Sequence, residues 1–442
     1  MVTCIFFCLV FLIPFHTGAT ARYMLAGLLD TCCLLLFWQS GGKTAKRLAQ
    51  RAGRLVSTPL FLSMIMLFAA AVLSLIFTPD ISRSIAATGE EFALNFVTFF
   101  LLMLFSAEFG AETDWISGFL IINAMFVAIY AGVMLQWFLA AGGSLWFVKS
   151  EILNPDVLWW LPPDITVMEA SGLDRILSYG DGNTLFNGIK HSALYLTLFL
   201  SFATVAIAVK KHFHLALFLF FSDILLIVST TKRCAMVAAA AGIMLSAMFF
   251  SSLRRYVAAA IVILLVIVVL IIGSDKNRYL VRENWNLILK GEIGRAMEQG
   301  GSIPLRICAY REFAAELADN PFRGTGPARK NIQKAYPETV SRCGLIHGHN
   351  SFLNMALYTG VQGMILLCAV IYFQAEILLR CRIGEGRGGD RELASAIFLF
   401  MVMFWGANMF MDGFRHGSAL LYWLVTAVGT GRAFAATDDD AS

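Results

Sequence analysis

Charged residues are scarce in this chain. Asp, Glu, Lys and Arg together make up 14% of its 442 residues, whereas 58% of the residues are hydrophobic. Soluble globular domains carry about 25% charged residues, so this composition excludes an ordinary soluble protein. The mean hydropathy of +0.71 and the 37 phenylalanines indicate a polytopic membrane protein instead.

Several functional motifs are also missing from the sequence. It has no GxxxxGK[ST] phosphate-binding loop, so a nucleotide-driven pump is not expected. Its basic segments are too short to suggest a nucleic-acid partner. The nine cysteines include no CxxC pair, and most lie in apolar segments where they are expected to pack. Cys308 and Cys343 share one polar segment and could pair in an oxidising compartment, although no other feature supports that pairing.

Apolar runs of the length that crosses a bilayer, about 17 to 25 residues, fill most of the chain. The first run lacks a basic leader and a small-residue cleavage site, so we expect a retained helix rather than a signal peptide. We predict twelve transmembrane helices, at approximately 2–16, 22–38, 59–77, 92–109, 115–139, 189–209, 213–229, 234–250, 256–273, 350–373, 393–411 and 417–434.

The short loops predict the orientation, because cytoplasmic loops hold the excess of Lys and Arg. Four basic segments fall on one side under this helix count: 43–54, 210–211, 254–255 and 380–391. The acidic stretch from Glu108 to Asp114 does not follow the trend. Both termini are therefore predicted to be cytoplasmic, with long periplasmic loops at about 140–188 and 274–349.

This topology divides the chain into three parts. Residues 1–273 hold the first nine helices, with the periplasmic loop at about 140–188. Residues 274–349 form the large periplasmic loop, for which we predict two amphipathic helices, at 277–299 and from Ser302 to a stop at Asn320–Pro321. Residues 350–442 hold the last three helices and a short cytoplasmic tail.

Two arginines stand out on the periplasmic side. The second loop helix is predicted to carry one apolar stripe, formed by Ile303, Ile307, Tyr310, Phe313, Ala314 and Leu317, and an opposite acidic face with Glu312, Glu316 and Asp319. Arg306 falls in this stripe, between Phe313 and Leu317, where desolvation is costly unless an anion meets the guanidinium. An internal salt bridge or a snorkelling side chain is the alternative. Lys232 and Arg233, in the short turn "STTKR", oppose the positive-inside trend; they are either lipid anchors or a docking point for a lipid-borne phosphate.

Two histidines, His347 and His349, directly precede the predicted helix 350–373. The positive end of a helix dipole opposes protonation, and a neutral histidine can serve as a general base. A capping or interfacial role is the plainer alternative. A metal site would need further ligands, such as His191, His416 or a carboxylate. Local chemistry does not separate His347 from His349.

The surrounding motif carries a resemblance to a known family. His349-Asn350, nine further residues, and then Gly360-Val-Gln-Gly363 match the His-[Asn/Ser/Gln]-x9-Gly-x-x-Gly pattern of bacterial O-antigen ligases, within the wider family of O-antigen ligases and polymerases. The match selects His349 over His347. The segment "SIPLRICAYREFAAELADNPFRGTGP", which contains Arg306, is similar to that family's loop, and so is an external arginine placed like Arg233 after "VSTT".

The resemblance implies an all-α polytopic protein of the bacterial inner membrane, a membrane-embedded glycosyltransferase of the GT-C type with about twelve helices and a large helical periplasmic loop. It implies that O-antigen passes from undecaprenyl pyrophosphate to a sugar hydroxyl of lipid A-core oligosaccharide, with inversion and without a metal or other cofactor. His349 would be the general base, and Arg233 and Arg306 would hold the pyrophosphate.

Other polar residues are weaker candidates. Arg175 and His191 border the first periplasmic loop, and Asp412, Arg415 and His416 either border the same cavity or pair with one another. Asp30 and Asp223 lie in or near apolar helices, where a polar residue often marks function, and are not assigned to the site. The weaker candidate substrate contacts are Lys232, Arg175, His191, His347, Asn350, Arg311 and Arg415.

Three alternatives remain beside the ligase. An O-antigen polymerase would use the same lipid-linked donor. A protein O-oligosaccharyltransferase would too, although such enzymes usually carry additional C-terminal sequence. A secondary transporter or lipid flippase would show paired broken helices or mid-membrane charges in matching halves, and the sequence shows neither clearly.

Overall fold

The structure is a computed structural model that describes residues 1–13, 19–140, 189–229, 233–259, 286–298, 302–384, 388–412 and 416–439, with Glu283 and Phe414. This described part contains helices and turns and no β-strand. The predicted class, a helical membrane protein, is confirmed. Most of the predicted ninth helix, 256–273, and the loop 141–188 lie outside the described residues.

Ten α-helices are described before residue 250. They are α1 Val2–Leu12, α2 Ala19–Gln39, α3 Lys43–Val56, α4 Pro59–Leu73, α5 Ile81–Thr88, α6 Asn95–Phe109, α7 Trp115–Ala140, α8 Ile189–Ala208, α9 Phe213–Ser229 and α10 Arg233–Phe249. A 3₁₀ turn, Ser74–Phe77, extends α4, and a π-helical segment, Gly89–Leu94, joins α5 to α6. The start of α4 follows from its sequence, because Thr58 Oγ1 accepts from Phe61 N and Pro59 occupies the first helical position.

Eight further α-helices follow in the second half. They are α11 Ile293–Glu298, α12 Ser302–Asp319, α13 Arg329–Ala335, α14 Pro337–Cys343, α15 Ser351–Thr359, α16 Val361–Ile383, α17 Gly388–Asn408 and α18 His416–Asp439. The helix predicted from Ser302 to the Asn320–Pro321 stop is α12. A disulfide between Cys308 and Cys343 ties α12 to α14.

Five described segments are long and apolar enough to cross a membrane: Pro59–Phe77, Ile81–Glu112, Trp115–Gly132, Val361–Ile383 and Gly417–Thr437. Four shorter apolar helices accompany them: Val2–Leu12, Leu194–Ala208, Phe213–Ile227 and Cys234–Phe249. The count of twelve spans stays a prediction. The second span starts eleven residues before the predicted 92–109, because the π-helical segment joins α5 to α6 without a break.

Two predicted helices are interrupted. The helix predicted at 350–373 is wrong as a single element, because the chain turns at Gly360 between the short α15 and the long α16. The helix predicted at 277–299 is broken by a turn at Lys290 and Gly291, where Gly291 has a φ of 76°. Both breaks use glycine in a backbone conformation that other residues seldom adopt.

Polar contacts define two opposite faces of the helix bundle. On the first, which we call the basic face, Arg51 of α3 pairs with Glu108 and Lys211 pairs with Asp114. The acidic stretch that failed to follow the charge trend thus lies against basic residues. The opposite side, which we call the loop face, holds α12 to α15.

Helix α18 runs through the centre of the bundle. Its side chains from Gly417 to Thr437 are nearly all buried, including Tyr422 and Trp423. It packs closely on α6, since a methyl group on Gly431 would lie 2.3 Å from the carbonyl oxygen of Met103. Small residues allow such close helix approach in membrane proteins. The C-terminal half of α18 is therefore closely packed against α6.

Candidate active site on the loop face

The candidate site is built around the N-terminus of α15. Asn350 is the N-cap: its Oδ1 accepts from the backbone N–H groups of Phe352 at 2.8 Å and Leu353 at 3.1 Å. This satisfies two of the N–H groups that every helix start leaves without a partner in the helix. Asn350, predicted as a substrate contact, thus has a structural role that its side-chain oxygen already fulfils.

His349 directly precedes this cap and has a strained backbone. Its φ of 46° lies in the left-handed region, which residues with a side chain rarely adopt. The conformation is held from both sides, because the His349 N–H donates to His347 Nδ1 at 3.1 Å and the Tyr310 hydroxyl donates to the His349 carbonyl at 3.3 Å. Such strain is found where neighbouring structure fixes a functional side chain.

The structure separates the two histidines, which local chemistry in the sequence could not do. His347 is buried, with 6% of its surface exposed, and its Nδ1 accepts the backbone bond from His349. That bond requires an unprotonated Nδ1, so a neutral His347 carries its proton on Nε2. His349 is half-buried, and the two rings lie with their centroids 4.1 Å apart. His347 therefore supports the position of His349.

The spacing of the sequence motif corresponds to this local structure. The nine residues between Asn350 and Gly360 are the nine residues of α15. Gly360 has a φ of 83° and a ψ of 169°, a region open essentially to glycine, and this turns the chain into α16. At Gly363 a methyl group would lie 1.7 Å from Thr359 Oγ1, so the two helices can meet closely only without a side chain there.

The Gly324-Thr325-Gly326 segment caps the other end of α15. The Thr325 N–H donates to the Leu357 carbonyl at 2.8 Å, and the Gly326 N–H donates to the Tyr358 carbonyl at 3.0 Å. These bonds satisfy carbonyl groups that a helix C-terminus leaves without partners. A helix of nine residues is marginal alone, so its stability comes from these contacts at both ends.

Three of the predicted site segments meet at the connection between α17 and α18, residues 409–414, which we call the α17–α18 linker. Asn350 Nδ2 donates to the Met409 carbonyl at 2.9 Å, and Arg306 Nη1 donates to the Phe410 carbonyl at 3.0 Å. Cys234 Sγ lies 3.6 Å from Met411 Sδ. The neighbours of His349 and Arg233 in the chain, and Arg306 itself, thus converge on three consecutive residues.

Arg306 is half-buried on α12, and its described hydrogen bond is to a neutral carbonyl rather than to a carboxylate. A guanidinium has five N–H donors, so this bond leaves capacity for an anion. Burial raises the pKa of Tyr310, one turn further along α12, while the positive charge of Arg306 acts in the opposite direction. The Tyr310 hydroxyl therefore stays protonated as the donor to His349.

The predicted apolar stripe of α12 is confirmed in part. Its members Phe313 and Leu317 are buried, as is Cys308 outside the stripe, whereas Ala314, expected in the stripe, is exposed. Glu316, expected on a solvent face, accepts from Thr339 of α14 at 3.1 Å. The helix is covered on two sides, which a single-stripe pattern does not anticipate.

The weaker candidates divide into described and undescribed residues. Arg311 is exposed on α12. His191 lies in the first turn of α8, but its side chain, like that of Arg233, is outside the described part. Asp412, which was expected to border the cavity or to pair with Arg415 or His416, accepts instead from Arg329. The Arg329 Nη2 and Nε groups donate to Asp412 Oδ2 at 2.8 and 3.0 Å. Arg175, Lys232 and Arg415 lie outside the described residues.

The two intramembrane aspartates contact neighbouring helices. Thr98 Oγ1 donates to Asp30 at 2.9 Å, and Asn123 Nδ2 donates to Asp223 at 2.9 Å. Both carboxylates are buried. These contacts agree with the expectation that either aspartate can serve to satisfy an adjacent helix, and they lie away from the α17–α18 linker contacts.

One polar residue was not singled out by the sequence patterns. Arg22 is the first residue of the predicted helix 22–38, and no role is predicted for it. In the structure α2 begins at Ala19, and Arg22 is a buried residue of its first turn, with 8% of its surface exposed. The signal that could have found it is the position of an arginine at the edge of a long apolar run.

The fold and the site together describe a polytopic helical membrane protein with a strained histidine and an arginine gathered on one face. A family model described as O-antigen ligase matches residues 215–368, which include Arg233, Arg306 and His349. This match confirms the predicted resemblance to O-antigen ligases over 154 of the 442 residues. No curated protein sequence gives a significant match.

Proposed function

We propose that the protein is an O-antigen ligase, a membrane-embedded glycosyltransferase of the GT-C type. It transfers O-antigen from undecaprenyl pyrophosphate to lipid A-core oligosaccharide, with inversion and without a metal. The observation that carries this proposal is the meeting of Arg306 and the segments of His349 and Arg233 at the α17–α18 linker. All three of these segments lie within the residues that the family model matches.

In this mechanism His349 takes the proton from the acceptor hydroxyl as that oxygen attacks the anomeric carbon of the donor sugar. The bond between this carbon and the pyrophosphate oxygen breaks, and the developing negative charge is stabilised by Arg306 and Arg233. His347 holds the His349 backbone through its Nδ1. The lipid-linked donor already carries the energy for transfer, so no nucleotide is needed.

Two features support a periplasmic location for the loop face in the inner membrane. The disulfide between Cys308 and Cys343 lies on this face, and disulfides persist in oxidising compartments such as the periplasm. Helix α3, with Lys46, Arg47, Arg51 and Arg54, lies on the opposite face, as expected for the cytoplasmic side. Both termini would then be cytoplasmic.

The test is to delete the gene in the source bacterium and restore it as wild type, His349→Ala or His214→Ala. His214 is exposed on the basic face and serves as the matched control. Lipopolysaccharide is profiled on gels, and lipid-linked glycan is extracted in parallel. We expect deletion and His349→Ala to leave bare core while long chains accumulate on the lipid carrier, with a rate loss of about 10²- to 10⁴-fold for the missing base.

Other outcomes discriminate between the alternatives. Core that carries one repeat unit would identify a polymerase and overturn the ligase proposal. Normal lipopolysaccharide in the deletion strain, with glycan missing from a surface protein, would indicate transfer to protein. Rescue by His349→Ala equal to that by His214→Ala would remove His349 from the mechanism. Loss of transfer by purified enzyme after chelation with EDTA would contradict metal independence.

A further inference from the structure

Arg22 is a buried cation for which the described residues supply no anion. Its side chain is 8% exposed, and its Nη1 has no hydrogen-bond partner. No Asp or Glu within the described part forms a salt bridge with it. Snorkelling would bring the charged head to the surface, and the burial of Arg22 contradicts that explanation.

The carboxylates of Glu90 and Glu91 act on Tyr23, the next residue in the chain, and neither forms an ion pair with Arg22. Glu90, in the π-helical segment, accepts from the hydroxyl of Tyr23 at 3.3 Å. Glu91 also acts on Tyr23 through its charge. A buried, unpaired arginine is costly in water-poor surroundings, so its retention indicates a function and a missing partner.

A second positive feature faces the same point. Gly417 lies in the first turn of the 24-residue helix α18, and a methyl group on Gly417 would lie 2.4 Å from Arg22 Nη1. The start of a helix concentrates N–H donors and the positive end of the helix dipole, and it favours anions. The guanidinium therefore lies directly against this second positive feature, and an anion that contacts both would offset their repulsion.

This position is connected to the candidate active site. The Phe414 N–H, three residues before Gly417, donates to Ser351 Oγ at 3.3 Å. Ser351 is the first residue of α15, two residues after His349. Arg22 therefore lies on the loop face, in the first turn of α2.

We propose that Arg22 and the N-terminal turn of α18 form a binding site for the phosphate group of a membrane lipid, and specifically for the pyrophosphate of the polyprenyl-linked donor. The proposal rests on the proposed function. A multiply charged phosphate neutralises both positive features at once, and arginine binds phosphate oxygens through two parallel N–H donors. A phospholipid headgroup offers the same chemistry, so the test distinguishes the two sources.

The test measures binding of undecaprenyl pyrophosphate and of phosphatidylglycerol to the full-length protein by native mass spectrometry. The variants are Arg22→Gln, Arg22→Lys and, as the matched control, Arg83→Gln; the Arg83 side chain is 48% exposed on the same face. We expect Arg22→Gln to weaken undecaprenyl pyrophosphate binding about 10- to 100-fold, the loss typical of one charged hydrogen-bonded contact. The affinity of Arg22→Lys for undecaprenyl pyrophosphate should lie between those of the wild type and Arg22→Gln. Phosphatidylglycerol binding should not change in any variant.

Gly417→Ala keeps the proposal testable if Arg22→Gln does not fold. The added methyl group displaces the guanidinium while the charge remains, and it should weaken the same binding. Wild-type affinity for undecaprenyl pyrophosphate in folded Arg22→Gln or Gly417→Ala would overturn the proposal. A loss of phosphatidylglycerol binding alone would overturn the donor assignment and leave a lipid headgroup site.

The same assay separates this proposal from the proposed function. His349→Ala should bind undecaprenyl pyrophosphate like wild type while failing to transfer glycan. If the wild-type protein does not bind undecaprenyl pyrophosphate, the proposed function fails. If it binds and Arg22→Gln binds equally, the proposed function stands and the Arg22 site fails.

Discussion

The arginines of the basic face and of the loop face differ in their ion-pair partners. On the basic face, Arg51 pairs with Glu108, and buried Arg432 of α18 donates to both oxygens of Asp390 at 2.8 and 3.0 Å. On the loop face, Arg306 meets a backbone carbonyl, and Arg22 has no ion-pair partner among the described residues. The first arrangement neutralises charge, whereas the second leaves charge for a ligand.

The loop face can also make ion pairs where structure needs them. Arg329 pairs with Asp412, and Lys334 pairs with Asp80. The exceptions at Arg306 and Arg22 are therefore specific positions rather than a property of the face. They lie beside the starts of α15 and α18, where helix dipoles add positive potential. The comparison predicts loss of stability when basic-face pairs are broken and loss of activity when loop-face arginines are altered.

The largest expected effect is on stability, from Arg432→Leu. Removal of one partner of a buried ion pair leaves Asp390 without compensation, which typically costs about 3–5 kcal/mol. Thermal unfolding of the purified protein in detergent measures the loss. The double variant Arg432→Met with Asp390→Leu should recover most of the stability, because it removes both charges. Full stability of Arg432→Leu would contradict the structural role assigned to this pair.

The next largest effect is a loss of glycan-transfer activity in the Arg306→Lys variant. Lysine keeps the positive charge but loses the planar, two-pronged donor geometry that suits a phosphate. We expect glycan transfer to fall about 10- to 100-fold, the equivalent of one charged hydrogen bond, with little change in unfolding temperature. Arg342→Lys is the control. Arg342, on α14, forms a surface ion pair with Glu312 of α12, the helix that carries Arg306. Equal activity in both variants would remove Arg306 from donor binding.

A smaller effect follows from Gly360→Ala. The φ of 83° and ψ of 169° are accessible essentially to glycine, and other residues pay about 1–3 kcal/mol there. A methyl group would also lie 2.5 Å from the Gln362 side-chain amide. We expect lower stability and lower transfer, since α15 holds His349. The exposed Gly389, with open space around it, supplies the control Gly389→Ala. Unchanged stability of Gly360→Ala would show that α15 is not held by this turn.

The smallest effect is a pH dependence at Asp80. The hydrogen bond from Lys334 holds the pKa of Asp80 below its usual range. Because the folded pKa is depressed, this contribution to stability is present above the unfolded pKa of about 3.9 and is lost as pH falls through the folded pKa. Asp80→Asn should flatten the fall in unfolding temperature between about pH 5 and 3. If the unfolding temperature falls equally with pH in the wild type and in Asp80→Asn, the pH dependence arises from other titratable groups.

Much of the fold follows from local patterns in the chain. Apolar runs predicted the position of most described helices within a few residues, because a bilayer demands long stretches without charge. The motif from His349 to Gly363 was also visible, since a cap, a helix length and two glycines are all local features. The predicted single helix at 350–373 failed because an apolar run does not reveal that Gly360 adopts a glycine-specific conformation.

The sequence by itself determined the membrane class, the basic and acidic segments, and His349, Arg233 and Arg306 as candidates. Only the tertiary structure decided which histidine is buried, which arginines have carboxylate partners, and that Arg22 lies against the start of α18. The physical reason is distance. The groups that contact the charge of an arginine lie tens or hundreds of residues away in the chain, such as Gly417 for Arg22 and Phe410 for Arg306. Helix packing alone brings them together.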